Sequence, residues 1–440
     1  MEPSPKYNAI LANTSLFSLW WGYQLGLSAL NLFSEHPFVF PLSATFGCIA
    51  LGFYIERLSR IRALTVSSIV GSVAAIFEGV GLAFKLLPVY YIGRIISGIV
   101  SGCLCVFVLV YLREVTPLTM SGKVASVTQL CIATGTFMSY VLNETCTYYT
   151  DSFAFNLLLP ILPCFATLIS AALMHSTMKY ESPIYLWSLN KPNLALQTLK
   201  ELAGEQLRNS MVDYEEESEV PVNTKHVSRT YKEIFVNPIL RKVLGQVCLT
   251  AFLQQTTGIN SVIIYSSYFW REDFGLPYAG SLISCIAAMS VIPSFLYIDK
   301  VPRKRLIQAG ALVMMACNAI MAAMMSNVIV SFCTSVIFVL SFELTMGPAM
   351  WVCFNELAFP KSLCLACACN WFGVASVSVL SRAAYYNSVF DIIERSVYAF
   401  FCFVVRRKQL FIIATKLFVE TKSDNSSEIE KRLCMNAETC

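Results

Sequence analysis

Five side-chain amides interrupt otherwise apolar stretches of this chain, at Gln129, Gln254, Gln255, Asn260 and Asn370. A polar group among apolar helices is costly unless it finds a partner, so such amides tend to face the interior of a helix bundle. There they either join helices or bind a ligand. An amide donates and accepts hydrogen bonds without carrying charge, which suits a neutral ligand rich in hydroxyl groups. The pattern therefore favours reversible binding of a polyhydroxyl molecule.

Covalent chemistry finds little support in the residues. The three histidines are His36, His175 and His226, and no nucleophile motif, phosphate-binding loop or metal-ligand spacing accompanies them. We therefore expect no enzyme activity, no metal, no cofactor and no nucleic-acid partner.

Two charged patterns occur twice in the chain. The copies of the first are Glu56-Arg57 with Arg60 and Asp299-Lys300 with Arg303, and those of the second are Glu114 with Pro117 and Glu356 with Pro360. The displacement is 243 residues from 56 to 299 and 242 residues from 114 to 356. A shared displacement for two unlike patterns indicates that one half of the chain duplicates the other.

Composition places these residues in a membrane. The chain has 440 residues, 56% hydrophobic and 14% charged, with a mean hydropathy of +0.60, which is too apolar for a soluble domain. Twelve apolar runs are close to the roughly 20 residues that cross a bilayer as a helix. They are 10–32, 37–55, 63–84, 88–112, 124–142, 152–174, 243–269, 279–298, 306–325, 327–353, 363–381 and 397–419. Because backbone groups in lipid must be bonded internally, we expect an all-α membrane protein of twelve transmembrane helices in two six-helix bundles.

The twelfth of these runs contains Arg406, Arg407 and Lys408. Three cations near the bilayer centre cost several kcal/mol, on the order of 3 kcal/mol each on insertion scales. We expect this helix to be displaced or kinked, or the stretch to have diverged.

Cations cluster in alternate connections between the runs, which places both termini in the cytoplasm. We expect four parts: an N-terminal bundle (1–177), a cytoplasmic linker with short amphipathic helices (178–240), a C-terminal bundle (241–420) and a cytoplasmic tail (421–440). The lipid bilayer is the expected surrounding, in the plasma membrane, and one chain should suffice for function.

Several longer motifs carry a resemblance to a known family. They are Gly93-Arg94-Ile95-Ile96-Ser97-Gly98, Glu181-Ser182-Pro183, Gln254-Gln255-Thr256-Thr257-Gly258-Ile259-Asn260, Gly347-Pro348-Ala349-Met350-Trp351 and Asn355-Glu356-Leu357. In this order and spacing the chain resembles the sugar porter family of the major facilitator superfamily over almost its whole length. The resemblance implies the major facilitator fold and transport of a hexose or related carbohydrate by alternating access between two halves.

The resemblance also assigns roles to single residues. It implies that Gln129, Gln254, Gln255, Asn260 and Trp351 bind a sugar, together with Asn370 and with Glu343 beside a Gly-Pro hinge. Two further polar positions of the family are Ala287 and Val374 here, which predicts the loss of two hydrogen-bond partners.

A gate on the inner surface is expected from the duplicated charges. We assign to it Glu56, Arg57, Arg60, Arg94, Glu114, Glu181, Asp299, Arg303, Lys304, Glu356 and Glu420. Several positions depart from the family pattern: Ser59 and Pro302 replace glycines, and Ile61, Ser121 and Ile184 replace arginines. Fewer partners predict a weaker closure of this side.

Energy coupling remains open at this point. Coupled members of the family carry an aspartate in the first helix, where this chain has Gln24, which cannot titrate; we therefore expect facilitated diffusion. The alternatives are proton symport through Glu78 in the third helix, and a sugar-sensing or inactive protein that does not transport.

Overall fold

A computed structural model describes residues 5–29, 36–116, 120–146, 152–202, 230–268, 275, 278–324 and 327–386. Every regular element in these ranges is a helix, which confirms the all-α prediction. The first half of the described chain forms seven helices. They are α1 (Pro5–Gly26), α2 (Val39–Leu51), α3 (Arg60–Ala83), α4 (Leu87–Val115), α5 (Ser121–Cys146), α6 (Phe153–Leu158) and α7 (Cys164–Leu173).

Short helices connect this half, α1–α7, to the second half, α11–α18. The connecting helices are α8 (Pro183–Ser188), α9 (Pro192–Leu202) and α10 (Tyr231–Val236). The second half contains α11 (Pro238–Gln255), α12 (Ile259–Tyr268), α13 (Ala279–Val291), α14 (Ser294–Tyr297), α15 (Arg303–Met324), α16 (Val328–Ser341), α17 (Gly347–Leu357) and α18 (Pro360–Tyr386).

Eleven of the twelve predicted spans coincide with described helices, and the twelfth, 397–419, lies outside the described residues. Seven helices in the described part are long and apolar enough to cross a membrane. Of the other four, α1 is long but less apolar, and the rest are shorter or divided. The run 243–269 is divided because Gly258 has a φ of 93°, a conformation that glycine adopts without strain and that no helix continues.

The linker helices α8–α10 define one end of the bundle, called the linker end below. There Tyr111 at the end of α4 donates to the carbonyl of Tyr180, and Phe53 after α2 meets the ring of Tyr231. The other end, which holds the C-termini of α1, α5 and α18, is called the opposite end.

The two halves meet along pairs of neighbouring helices, with α2 against α18 and α5 against α13. Within the first half, α1 and α5 approach closely at two glycines. A Cβ at Gly22 would lie 2.2 Å from the carbonyl oxygen of Ile132, and one at Gly135 would lie 2.1 Å from that of Leu19. Small residues at such points allow membrane helices to pack backbone to backbone. This packing fixes α5, which carries one wall of the candidate site.

Candidate functional site

Three of the predicted binding residues meet where α5 faces the second half. The Gln129 amide nitrogen donates to a Glu343 carboxyl oxygen at 2.8 Å, and its oxygen accepts from the Trp351 indole nitrogen at 2.7 Å. Each of the three is at most 7% exposed. Gln129 belongs to the first half and its partners to the second, so these bonds join the halves between the two ends of α5.

The other four predicted residues form a second cluster on α11, α12 and α18. Asn370 donates to the Gln254 side-chain oxygen at 2.9 Å, Gln255 donates to the same oxygen at 3.5 Å, and Asn260 donates to the oxygen of Gln255. All four side chains are buried. The break at Gly258 brings Asn260 back towards Gln255, because the chain starts a new helix at Ile259.

The two clusters adjoin at a wide helical turn. Residues Phe342–Met346 form a π-helix directly before Gly347 and Pro348. Such a turn leaves backbone carbonyls less regularly bonded, and the carbonyl of Met346 accepts from Gln254 at 3.4 Å. All seven predicted binding residues therefore lie in one connected, buried polar region.

The amides of this region can exchange hydrogen bonds with a ligand. The amides satisfy one another in the described state, so a ligand with several hydroxyl groups could replace these bonds without leaving a buried group unpaired. The Trp351 ring, packed edge-on against Phe354 with centroids 5.6 Å apart, adds an aromatic surface. Ala287 and Val374 lie in the apolar core instead and contribute no side-chain hydrogen bond.

At the linker end, Arg60 organises the first charged pattern. Its guanidinium meets both Glu114 carboxyl oxygens, at 2.9 and 3.0 Å, and donates to the carbonyls of Ile55 and Leu58 at 2.7 Å each. Glu181 accepts from the Arg60 backbone nitrogen at 3.1 Å and from the hydroxyl of Ser59. Ser59 stands where the family has glycine, and its hydroxyl adds a bond to Glu181 that glycine could not make.

The second copy repeats this geometry. Arg303 is buried and donates to the carbonyls of Ile298 and Val301, at 2.7 and 3.4 Å. These acceptors stand 243 positions after those of Arg60, so the duplicated sequence folds into duplicated structure. Arg303 also lies 3.6 Å from Asp299. The Glu356 side chain and Glu420 fall outside the described residues.

Two contacts at the linker end cross between the halves. Glu56 forms an ion pair with Lys361 at 2.6 Å, and Asp299 accepts from the backbone nitrogen of Gly122 at 3.0 Å. Lys361 was not among the predicted gate residues. The signal available in the sequence was a cation directly after Pro360, two residues before the predicted run 363–381. Arg57 is exposed and Lys304 half-buried.

Arg94 requires a correction, since the structure does not bring it to the linker end. It lies 20 residues before Glu114 in α4, about 30 Å along the helix, and donates to Gln24 (2.9 Å) and Ser28 (2.6 Å) near the opposite end. A carboxyl oxygen of Glu78 lies 3.7 Å from its guanidinium. The motif indicated a buried arginine, but the sequence alone did not indicate at which end of the helix bundle it lies.

Comparison with known proteins adds the family. A family model described as "Sugar (and other) transporter" matches residues 38–433. The glucose transporter GlcP of Staphylococcus epidermidis is 27% identical over 95% of this chain and 95% of its own length. The facilitated glucose transporter member 1 of Gallus gallus is 27% identical over 78% of this chain and 71% of its own length.

Solved structures agree at the level of the fold. The proton:xylose symporter XylE, bound to 6-bromo-6-deoxy-D-glucose, superposes with a TM-score of 0.78 at 22% identity and covers 98% of this chain and 100% of its own. A partially occluded, inward-open form of XylE from E. coli gives 0.71 at 23% identity, over 96% of this chain and 100% of its own. Because the family model spans most of the sequence and the fold is shared, this chain belongs to the sugar transporter family and has the major facilitator fold.

Proposed function

We propose that this protein carries a hexose or a closely related carbohydrate across a membrane by alternating access. The observation that supports this most is the buried polar region, in which five amides, one carboxyl group and one indole form two adjoining hydrogen-bonded clusters. Such a set matches a neutral molecule covered with hydroxyl groups. The named functions of the relatives GlcP and facilitated glucose transporter member 1 point to glucose as the first substrate to test.

The mechanism follows from the contacts between the halves. Glu56–Lys361 and Asp299–Gly122 join them at the linker end, and the Gln129 bonds join them further along α5. Opening towards the linker end separates the first two contacts, and opening towards the opposite end leaves them intact. The sugar exchanges hydrogen bonds with the buried amides while both ends are closed, and the halves then rock about the site.

We propose facilitated diffusion as the mode of transport. Gln24 holds the Arg94 guanidinium with neutral oxygens at 2.9 and 3.1 Å, and an amide binds no proton at physiological pH. On this basis sugar moves only down its gradient. We further propose that the linker end faces the cytoplasm, together with both termini, and that the protein resides in the plasma membrane.

Proton symport is a second candidate, supported by one specific observation. Glu78 is fully buried, and neither of its carboxyl oxygens has a hydrogen-bond partner among the described residues. The Arg94 guanidinium lies 3.7 Å away with its nitrogens engaged by Gln24 and Ser28. A buried carboxylate without hydrogen bonds is costly, and protonation removes that cost.

One transport experiment tests the proposal and separates the two modes. The purified protein is reconstituted in lipid vesicles, and uptake of radiolabelled glucose, xylose and a polyol is followed with and without an imposed proton gradient. We expect saturable sugar uptake that stops when the sugar concentrations inside and outside are equal and that does not change with the proton gradient. Uphill accumulation that an uncoupler abolishes would establish symport instead. Absence of exchange for every sugar, in vesicles that hold folded protein, would refute transport.

A further inference from the structure

The linker-end contacts have a counterpart at the opposite end. Glu144, in the last turn of α5 and two residues before its end at Cys146, is 5% exposed. Its two carboxyl oxygens lie 3.3 and 3.2 Å from the backbone nitrogen of Ser281 in α13, and one of them also accepts from the Ser281 hydroxyl. Glu144 belongs to the first half and Ser281 to the second.

A second contact crosses the halves one turn earlier on the same helix. The Tyr140 hydroxyl donates to the backbone carbonyl of Ile263, in α12. Residues four apart on a helix share a face, so Tyr140 and Glu144 present one polar strip of α5 to the second half. The strip meets α12, the segment that begins after the break at Gly258, and the first turn of α13.

The arrangement at the two ends of α5 is reciprocal. At the linker end, the second-half carboxylate of Asp299 accepts from the backbone of Gly122, in the first turn of α5. At the opposite end, the first-half carboxylate of Glu144 accepts from the backbone of Ser281, in the first turn of α13. Both bonds use the free N–H groups of a helix start and its partial positive charge. Each end of the α5–α13 pair is therefore held by a carboxylate from one half on a helix start of the other.

We propose that Tyr140 and Glu144 form the gate of the opposite end, and that separation of Glu144 from Ser281 is the step that admits sugar from that side. The inference rests on the alternating access of the proposed function. Rocking of the halves cannot open this end while the strip on α5 is bonded to α12 and α13. Once the bond breaks, the carboxylate and the helix start must both be hydrated, so its strength sets how often the end is open.

The test measures opening directly and does not require sugar. A reporter cysteine replaces Asn260, in the buried region, and a membrane-impermeant maleimide is added to the opposite end of the protein in vesicles. Peptide-resolved mass spectrometry follows labelling at position 260 apart from the native cysteines. In this background, Glu144→Gln keeps the side-chain shape and removes the charge, Tyr140→Phe removes only the hydroxyl, and Ser281→Ala removes one of the two donors.

We expect Glu144→Gln to raise the labelling rate at least threefold and Tyr140→Phe and Ser281→Ala to raise it less. The matched control is Thr145→Val, since the Thr145 hydroxyl bonds to the Val141 carbonyl within α5 and does not cross between the halves. Its labelling rate should equal that of the unsubstituted reporter protein. Equal rates for all four variants in folded, monodisperse protein would overturn the gate.

Sugar uptake is measured separately, in vesicles that hold the same variants without the reporter. Faster labelling without any sugar uptake would retain the gate and refute the proposed function. Sugar uptake with unchanged labelling would refute the gate and retain the proposed function.

Discussion

The buried polar side chains of the candidate site already form hydrogen bonds to one another. Gln254 shows this most directly: its oxygen accepts from Asn370 at 2.9 Å, and its nitrogen reaches the Met346 carbonyl at 3.4 Å. A sugar bound here must replace bonds that already exist. Affinity then depends on how well its hydroxyl groups reproduce them, since an unpaired buried group costs about 1–3 kcal/mol.

Replacing Gln254 with alanine should weaken sugar binding by about tenfold, the equivalent of roughly 1.4 kcal/mol. The change removes one acceptor and one donor and leaves the Asn370 amide without its closest partner. The measurement is the KM for sugar in reconstituted vesicles. Gln246 is the matched control, because it is a buried glutamine on the same helix, α11, outside the polar region; Gln246→Ala should retain the native KM. A native KM for Gln254→Ala would remove this residue from the site.

At the scale of elements, the sequence predicted eleven of the helices well because apolar runs and turn residues act locally. The positions of the breaks were less accessible. Gly258 indicated one helix break in the sequence, whereas the π-helical turn at Phe342–Met346 depends on tertiary packing. The end of the bundle at which a side chain lies was harder still to predict from the sequence. Arg94 was placed at the wrong end, because a motif does not say which neighbouring helices offer its side chain acceptors.

Close helix packing gives a stability prediction at this scale. Gly135→Ala would place a methyl group 2.1 Å from the Leu19 carbonyl oxygen, which forces α1 and α5 apart. We expect a loss of about 1–3 kcal/mol, as for other overpacked sites, seen as a lower melting temperature in detergent. Gly245→Ala is the control, since a Cβ there meets nothing within 4 Å and alanine favours a helix by about 1 kcal/mol. Equal melting temperatures for the two variants would contradict the packing argument.

The linker helix α9 gives a prediction about pH. Glu201 accepts from the hydroxyl of Tyr180 at 2.7 Å and pairs with Lys6 of α1 at 3.1 Å. Hydrogen bonds from Tyr180, Lys6 and Gln197 lower the pKa of Glu201 from 4.5 to about 2. A lowered pKa stabilises the folded state above pH 4.5, and this contribution is lost as the pH falls towards 2.

Glu201→Gln should therefore lower the melting temperature slightly at pH 7, and the difference from the native protein should shrink below pH 4.5. The effect is small because the carboxylate is one-third exposed and screened by solvent. Melting curves between pH 7 and pH 3 measure it. A difference that stays constant over this range would show that the charge of Glu201 does not contribute.

In the proposed mechanism, the balance between the two ends of the whole molecule decides from which side of the membrane sugar can reach the site. Charges whose positions are repeated in both halves lie at the linker end, and the acidic member of each copy contacts the other half: Glu56 contacts Lys361 and Asp299 contacts Gly122. Arg60 and Arg303 donate to loop carbonyls of their own halves and brace the loops that present these acids. Duplication thus places an acid at the same position of each half, and both acids contact the other half.

A charge exchange tests the first crossing. Lys361→Glu should place two carboxylates together at the linker end, favour its opening and slow net sugar transport several-fold, because like charges repel at this distance. Adding Glu56→Lys should restore an ion pair and recover most of the native rate, with a coupling energy of about 1 kcal/mol for this partly exposed pair. Transport rates of the native protein, both single variants and the double variant, at matched amounts of folded protein, complete the cycle. If the transport rate of the double variant is the one expected from adding the two single effects, Glu56 and Lys361 do not act as a pair in transport. Closure of the linker end would then rest on Asp299 and the start of α5.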